Sequence, residues 1–208
     1  MEIMYVNKSN IELKTTALYG DVLDLIDMGV DIEGIEYDDN WTVKKFLSNS
    51  LLAKKRIETV FKYLDIDTKY LNWKIKELSK VTFKYVLLSH ALLNNKKTLV
   101  FERFEIGLSN KERKNIVQII KKLKNDGITM IFVTKDLLFA NQIVENIIVI
   151  KNKKEVFNDT IDKLITKKNI IDMPPVIKFV ECANKKKAGL TYTLDHKELL
   201  KDIFREVV

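Results

Sequence analysis

Two short apolar runs, Leu99-Val100-Phe101 and Met130-Ile131-Phe132-Val133, constrain this chain more than any other feature. Neither alternates apolar with polar residues, and a strand without alternation has to be covered on both faces, as in a parallel sheet flanked by helices. The segment between them carries the start and stop signals of a helix. Ser109 followed by Glu112 forms a capping box, Ile116, Ile119, Ile120 and Leu123 recur at helical spacing, and Gly127 stands just past the last of them. A parallel pair of strands needs such a crossover. The stretch therefore predicts an α/β protein with a mainly parallel sheet and helices on both faces.

Around that unit the pattern predicts further elements. Ile3-Met4-Tyr5-Val6 reads as a strand, Thr15 to Met28 as a helix with Leu18, Val22, Leu25 and Ile26 on one side, and Gly34 to Tyr37 as another strand. Thr42 reads as the cap of a helical region running to about Leu64, and a helix runs from Leu78 to Leu92. After Asp136 come a helix to Val144, then a hairpin of Ile147 to Ile150 with Glu155 to Phe157, then a helix from Asp159 to Lys168. Pro174-Pro175 breaks the pattern and marks a boundary, beyond which Pro175 to Lys187 and Asp195 to Val207 read as helices.

The single cysteine, Cys182, rules out an internal disulfide and fits a reducing cytoplasm. No apolar run reaches the roughly 18 residues of a membrane span, and Glu2, Asn7 and Lys8 interrupt any signal-peptide pattern. The net charge of +7 comes from scattered lysines with small groups at Lys54-Lys55-Arg56, Lys151 to Lys154 and Lys185 to Lys187. Without interleaved aromatic residues to stack bases, these read as solvated faces more than as a nucleic-acid surface. His90 and His196 have no cysteine or carboxylate at ligand spacing and Cys182 has no neighbouring base, so neither a metal site nor a catalytic set is expected.

The stretch from Leu78 to Asp136 resembles the ATPase subunit of ATP-binding-cassette (ABC) transporters. Leu78-Ser79 matches the start of the signature Leu-Ser-Gly-Gly-Gln, and Ser89-His90-Ala91-Leu92 falls in register with the family's Ala-Arg-Ala-Leu. The Walker B ending Asp-Glu-Pro-Thr reads Glu102-Arg103-Phe104-Glu105, followed by Gly107-Leu108-Ser109 for Gly-Leu-Asp. The switch segment Val-Thr-His-Asp reads Val133-Thr134-Lys135-Asp136. Near the N-terminus, Lys14 and Thr15 match the end of the Walker A pattern, while Lys8, Ile11 and Leu13 occupy its glycine places. The chain ahead of that loop is too short for the family's small antiparallel subdomain. The tail, with its Pro-Pro-Val, Leu190-Thr191 and flanking helices, is similar to the extension of the energy-coupling-factor importer branch.

The resemblance implies a P-loop NTPase-like domain over 1–168, with a helical subdomain at about 42–92, and a helical extension over 169–208. It implies vestigial nucleotide positions at Lys14, Thr15, Ser79 and Glu102, and degenerate ones at Ile11, Leu13, Arg103 and Lys135. Glycine in the phosphate loop permits positive φ and close approach of N–H groups to phosphate, and β-branched Ile11 serves neither. Arg103 puts a guanidinium where the family carries the water-orienting glutamate, and a guanidinium accepts no proton. Lys135 replaces the switch imidazole with a point charge. The expectation is a non-catalytic partner or regulatory subunit of an ABC-type assembly, with ATP and Mg²⁺ bound weakly if at all. Its implied partners are a second ABC ATPase-like chain, identical or different, and a membrane permease that would hold it at the inner face of the membrane. Trp41 suits a partner surface if exposed and plain core if buried. The alternatives are an atypical ATP-binding ABC ATPase and a basic nucleic-acid-binding protein on a reused scaffold.

Overall fold

The computed structural model describes residues 16–19, 30–31, 36–48, 53–96, 98–151, 154–167 and 169–207. They fall into two compact units, one of described residues between 30 and 133 and one of residues 16–19 and 134–207.

In the first unit, β2 (Val30–Asp31), β3 (Thr98–Glu102) and β4 (Thr129–Thr134) run parallel with β3 in the middle. Its helices are α1 (Val43–Leu47), α2 (Ala53–Tyr63), α3 (Lys80–Leu93) and α4 (Asn110–Asn125), with two 3-10 turns at Thr68–Asn72 and Ile75–Glu77. Leu99, Val100 and Phe101 are buried, as are Met130 to Val133, which is what runs without alternation require. The capping box forms as the sequence predicts: Ser109 Oγ accepts from the Glu112 amide and Glu112 accepts from the Ser109 amide at 2.7 Å. The predicted apolar face of α4, Ile116, Ile119, Ile120 and Leu123, is buried. Gly127 adopts φ +78° just past the helix, the left-handed position glycine favours.

The second unit holds β1 (Thr16–Tyr19), α5 (Leu137–Ile143), β5 (Asn146–Lys151), β6 (Lys154–Thr160), α6 (Ile161–Ile165), α7 (Pro175–Lys185) and α8 (His196–Val207). β5 pairs parallel with β1 and antiparallel with β6, so the predicted late hairpin is present. Pro174 caps α7 and Pro175 takes its first turn, where a missing N–H costs nothing. The turn between α7 and α8 is clamped by Asn184, whose side chain donates to the Leu190 carbonyl and accepts from its amide, both at 2.7 Å.

Three expectations are corrected. The helix predicted from Thr15 is a strand over Thr16–Tyr19, in register with Ile147 to Val149. Thr16 and Tyr19 suit a strand, and the predicted helix ran across Gly20, which costs a helix interior about 1 kcal/mol. The strand predicted over Gly34 to Tyr37 is not formed at Glu36 and Tyr37; β2 lies earlier, and Tyr37 packs edge-on against Phe83 at 4.8 Å. Asp159 and Thr160 belong to β6 instead of a helix, because Thr160 is the cap of α6 and Asp159 pairs with Ile147. The strand predicted at Ile3 to Val6 lies outside the described residues.

Candidate functional site

The C-terminal ends of parallel strands are where open α/β sheets bind ligands, and β3 ends there at Glu102, which is half-buried opposite Val133. The next residue, Arg103, adopts φ +47°. Its amide donates to the Val133 carbonyl at 2.7 Å and its carbonyl accepts from the Ile106 amide at 3.0 Å. The left-handed residue thus turns the chain off the strand while remaining tied to β4. Phe104 follows fully buried, edge-on to Phe101 at 4.9 Å, and Phe101 stacks on Phe132 at 4.7 Å. Glu105 is only 6% exposed. Gly107, at φ +81° with open space where a Cβ would sit, completes the turn before Ser109 caps α4.

A residue that sequence reasoning missed secures this turn. Lys84, half-buried on α3, donates through Nζ to the carbonyls of Phe104 at 2.7 Å and Ile106 at 3.0 Å, and lies 5.0 Å from the Phe104 ring centroid. The available hint was a lone lysine inside the largely apolar run Val81 to Leu88. Ser79, expected as a signature position, opens the same helix. Its Oγ accepts from the Thr82 amide at 3.0 Å and contacts Thr82 Oγ1 at 2.9 Å, so the hydroxyl serves as an N-cap.

Lys135 belongs to the second unit and is exposed. Beside it Asp136 caps α5, accepting from the Phe139 amide at 2.8 Å, while its own amide donates to the buried Thr134 Oγ1 at 2.9 Å. Lys14, Thr15, Ile11 and Leu13 lie outside the described residues. The segment that Lys14 and Thr15 lead into is β1, whereas a phosphate loop leads from a strand into a helix. No group of three or more His, Cys, Asp or Glu side chains suited to a metal ion occurs among the described residues.

The fold decides the comparison with known structures. A nucleotide-free ATP-binding cassette from an ABC transporter superposes with a TM-score of 0.63 over 77% of this chain and 87% of that one, at 13% identity. The fold is that of an ABC-transporter ATP-binding cassette. A second cassette, cbiO1 from Clostridium perfringens, part of the ABC transporter complex cbiONQ, matches with a TM-score of 0.53 over 80% of this chain and 67% of that one, at 16% identity. No family model matches the sequence. Among curated relatives, a Clostridium perfringens protein named as an ABC transporter ATP-binding protein is 27% identical over 103 residues, 50% of this chain and 18% of that protein. An onion yellows phytoplasma protein so named is 24% identical over 149 residues, 71% of this chain and 24% of its own length. The chain thus spans less than a quarter of the curated relatives it matches.

The chemistry at the end of β3 is set by Glu102 and Arg103. Phosphoryl transfer depends on a positioned water and on charge stabilisation around the phosphate. The residue after the β3 carboxylate is Arg103, held in a tight turn. A guanidinium there cannot accept the proton of an attacking water. Glu102 supplies one carboxylate at the end of β3, a hard oxygen donor of the kind Mg²⁺ takes together with phosphate oxygens.

Proposed function

We propose that this chain is a non-catalytic ABC-ATPase-like subunit that acts as a partner or regulator in an ABC-type transport assembly. The observation that carries the reading is Arg103: the cassette's buried strand and turn are kept around it, while the position itself has become a cation fixed at a left-handed corner. A second ABC ATPase-like chain is the proposed direct partner, with a membrane permease beyond it. The tail supports a pairing role, since Phe179 is 50% exposed on α7 and Phe204 is 68% exposed on α8, whereas Val176 and Leu199 are buried. A further partner surface lies at Trp41 and Trp73. Their segments are joined by hydrogen bonds from the Val43 amide to the Trp73 carbonyl and from the Ile75 amide to the Trp41 carbonyl, each 2.9 Å. Trp41 is half-buried with Lys45 Nζ 4.7 Å from its ring centroid, and Trp73 is exposed.

The test is steady-state phosphate release with Mg-ATP for the wild type, Arg103→Glu and Lys14→Ala. The expected result is no turnover above buffer in any of them, because residues that act as one catalytic unit are not restored singly. Turnover in the wild type that is lost in Lys14→Ala would overturn the reading in favour of an atypical ATPase.

A further inference from the structure

At the opposite end of β3 and β4 from Glu102, a cavity of about 330 Å³ opens among α2 and the C-terminal ends of α3 and α4. Its position follows from two matching helix stops. After α3, the Asn95 amide donates to the Leu92 carbonyl and the Lys96 amide to the Ala91 carbonyl, with Asn95 at φ +53°. After α4, the Gly127 amide donates to Lys124 and the Ile128 amide to Leu123. Both are Schellman motifs, and each delivers its last residue, Lys96 or Ile128, to the cavity wall.

The lining divides by chemistry. Val60, Leu92, Leu123 and Ile128 form an aliphatic floor. Arg56 and Lys96 stand exposed at the rim, where Arg56 Nη1 donates to Asn95 Oδ1 at 2.9 Å; neither cation has a carboxylate partner among the described residues. The one acid in the lining, Asp126, accepts from the Tyr63 hydroxyl, and Lys122 Nζ lies 3.7 Å from the centroid of the Tyr63 ring. Two cations against this one carboxylate leave the lining with a net positive charge. The C-terminal helix ends oppose it by only about half a charge each, and the Ala91, Leu92, Leu123 and Lys124 carbonyls already accept hydrogen bonds.

We propose that this cavity binds a medium-chain aliphatic carboxylate, its hydrocarbon chain on the Val60–Leu92–Leu123–Ile128 floor and its carboxylate between Arg56 and Lys96. The volume is at the small end of ligand sites, about 300–1,000 Å³, and an aliphatic floor with few polar groups at one rim is the usual construction of such a site. Arg56 suits the planar, two-oxygen head group, and Lys96 adds a point charge.

Calorimetric titration of the full chain with decanoate, decanol and decylammonium tests the proposal. One saturable decanoate site per chain is expected, with decanol at least tenfold weaker and decylammonium not binding. The Arg56→Gln/Lys96→Gln double variant should lose decanoate affinity tenfold or more. Thr59→Trp, which fills the cavity from an exposed position on α2, should abolish binding, with circular dichroism melts confirming that both variants fold. Absence of a saturable site, equal affinity for decanol, tighter binding of decylammonium or unchanged binding in Thr59→Trp would each overturn the proposal. Attachment to phosphatidylglycerol vesicles without saturable decanoate binding would do the same.

Discussion

Lys84 Nζ sits 2.7 Å from the carbonyl oxygen of Phe104, twenty residues further along the chain, and so ties the helix opened by Ser79 to the turn that follows β3. The same ammonium reaches the Ile106 carbonyl at 3.0 Å. This joins α3 to the turn after β3 through one side chain. Hydrogen bonds from a charged donor are worth about 1.5–3 kcal/mol. Lys84→Met keeps the aliphatic stem over Phe104 but removes the donor, and is expected to cost about 1–3 kcal/mol. Urea denaturation measures it: an unchanged midpoint would mean the turn holds without the lysine.

Arg103 offers a cleaner test of backbone strain. An ordinary residue in the left-handed region is strained by about 1–2 kcal/mol, and glycine is not. Arg103→Gly should therefore be more stable than Arg103→Ala by about 1 kcal/mol, the reverse of the order seen in helices. Both variants lack the guanidinium, so the comparison isolates φ. Thermal melts in which alanine equals or exceeds glycine would contradict it.

His90 predicts a pH dependence. Its ring stacks on Phe46 at 4.8 Å between centroids, and its buried Nδ1 has no hydrogen-bond partner among the described residues. Burial, and then the neighbouring Lys96 ammonium, pull the imidazole below its ordinary value. The folded state thus favours the neutral ring, while the unfolded chain takes up a proton near pH 6.5. Stability is complete above that pH and falls as the pH drops from about 6.5 toward the lowered folded value. Urea midpoints at pH 7.5 and 5.5 should differ more for wild type than for His90→Gln; equal differences would remove His90 as the cause.

On α8, Leu200 and Phe204 lie one turn apart and are 53% and 68% exposed. Exposed substitutions of this kind usually change monomer stability by less than about 0.5 kcal/mol. The double variant Leu200→Ser/Phe204→Ser should therefore melt like wild type yet shift a self-associating chain toward monomer in sedimentation velocity. An unchanged sedimentation profile in a protein that does associate would move the pairing surface elsewhere.

What the sequence determined by itself was local and periodic. The capping box at Ser109 and Glu112, the stop at Gly127, the cap at Thr42, and the non-alternating runs that became β3 and β4 all rest on contacts within a few residues or on a local apolar pattern. The identities of Arg103 and Lys135 were equally legible, because chemical identity needs no coordinates. Tertiary structure decided the rest. Thr16–Tyr19 became a strand because Ile147 to Val149 lie beside it, a pairing of more than a hundred residues' separation that no window detects. Lys84 became the tie of the Phe104 turn, and Arg56, Lys96 and Ile128 came to share one cavity, because packed helices bring together residues whose spacing carries no period. A cap or an amphipathic face is encoded where it acts, whereas a long-range hydrogen bond or a cavity exists only once the elements around it have packed.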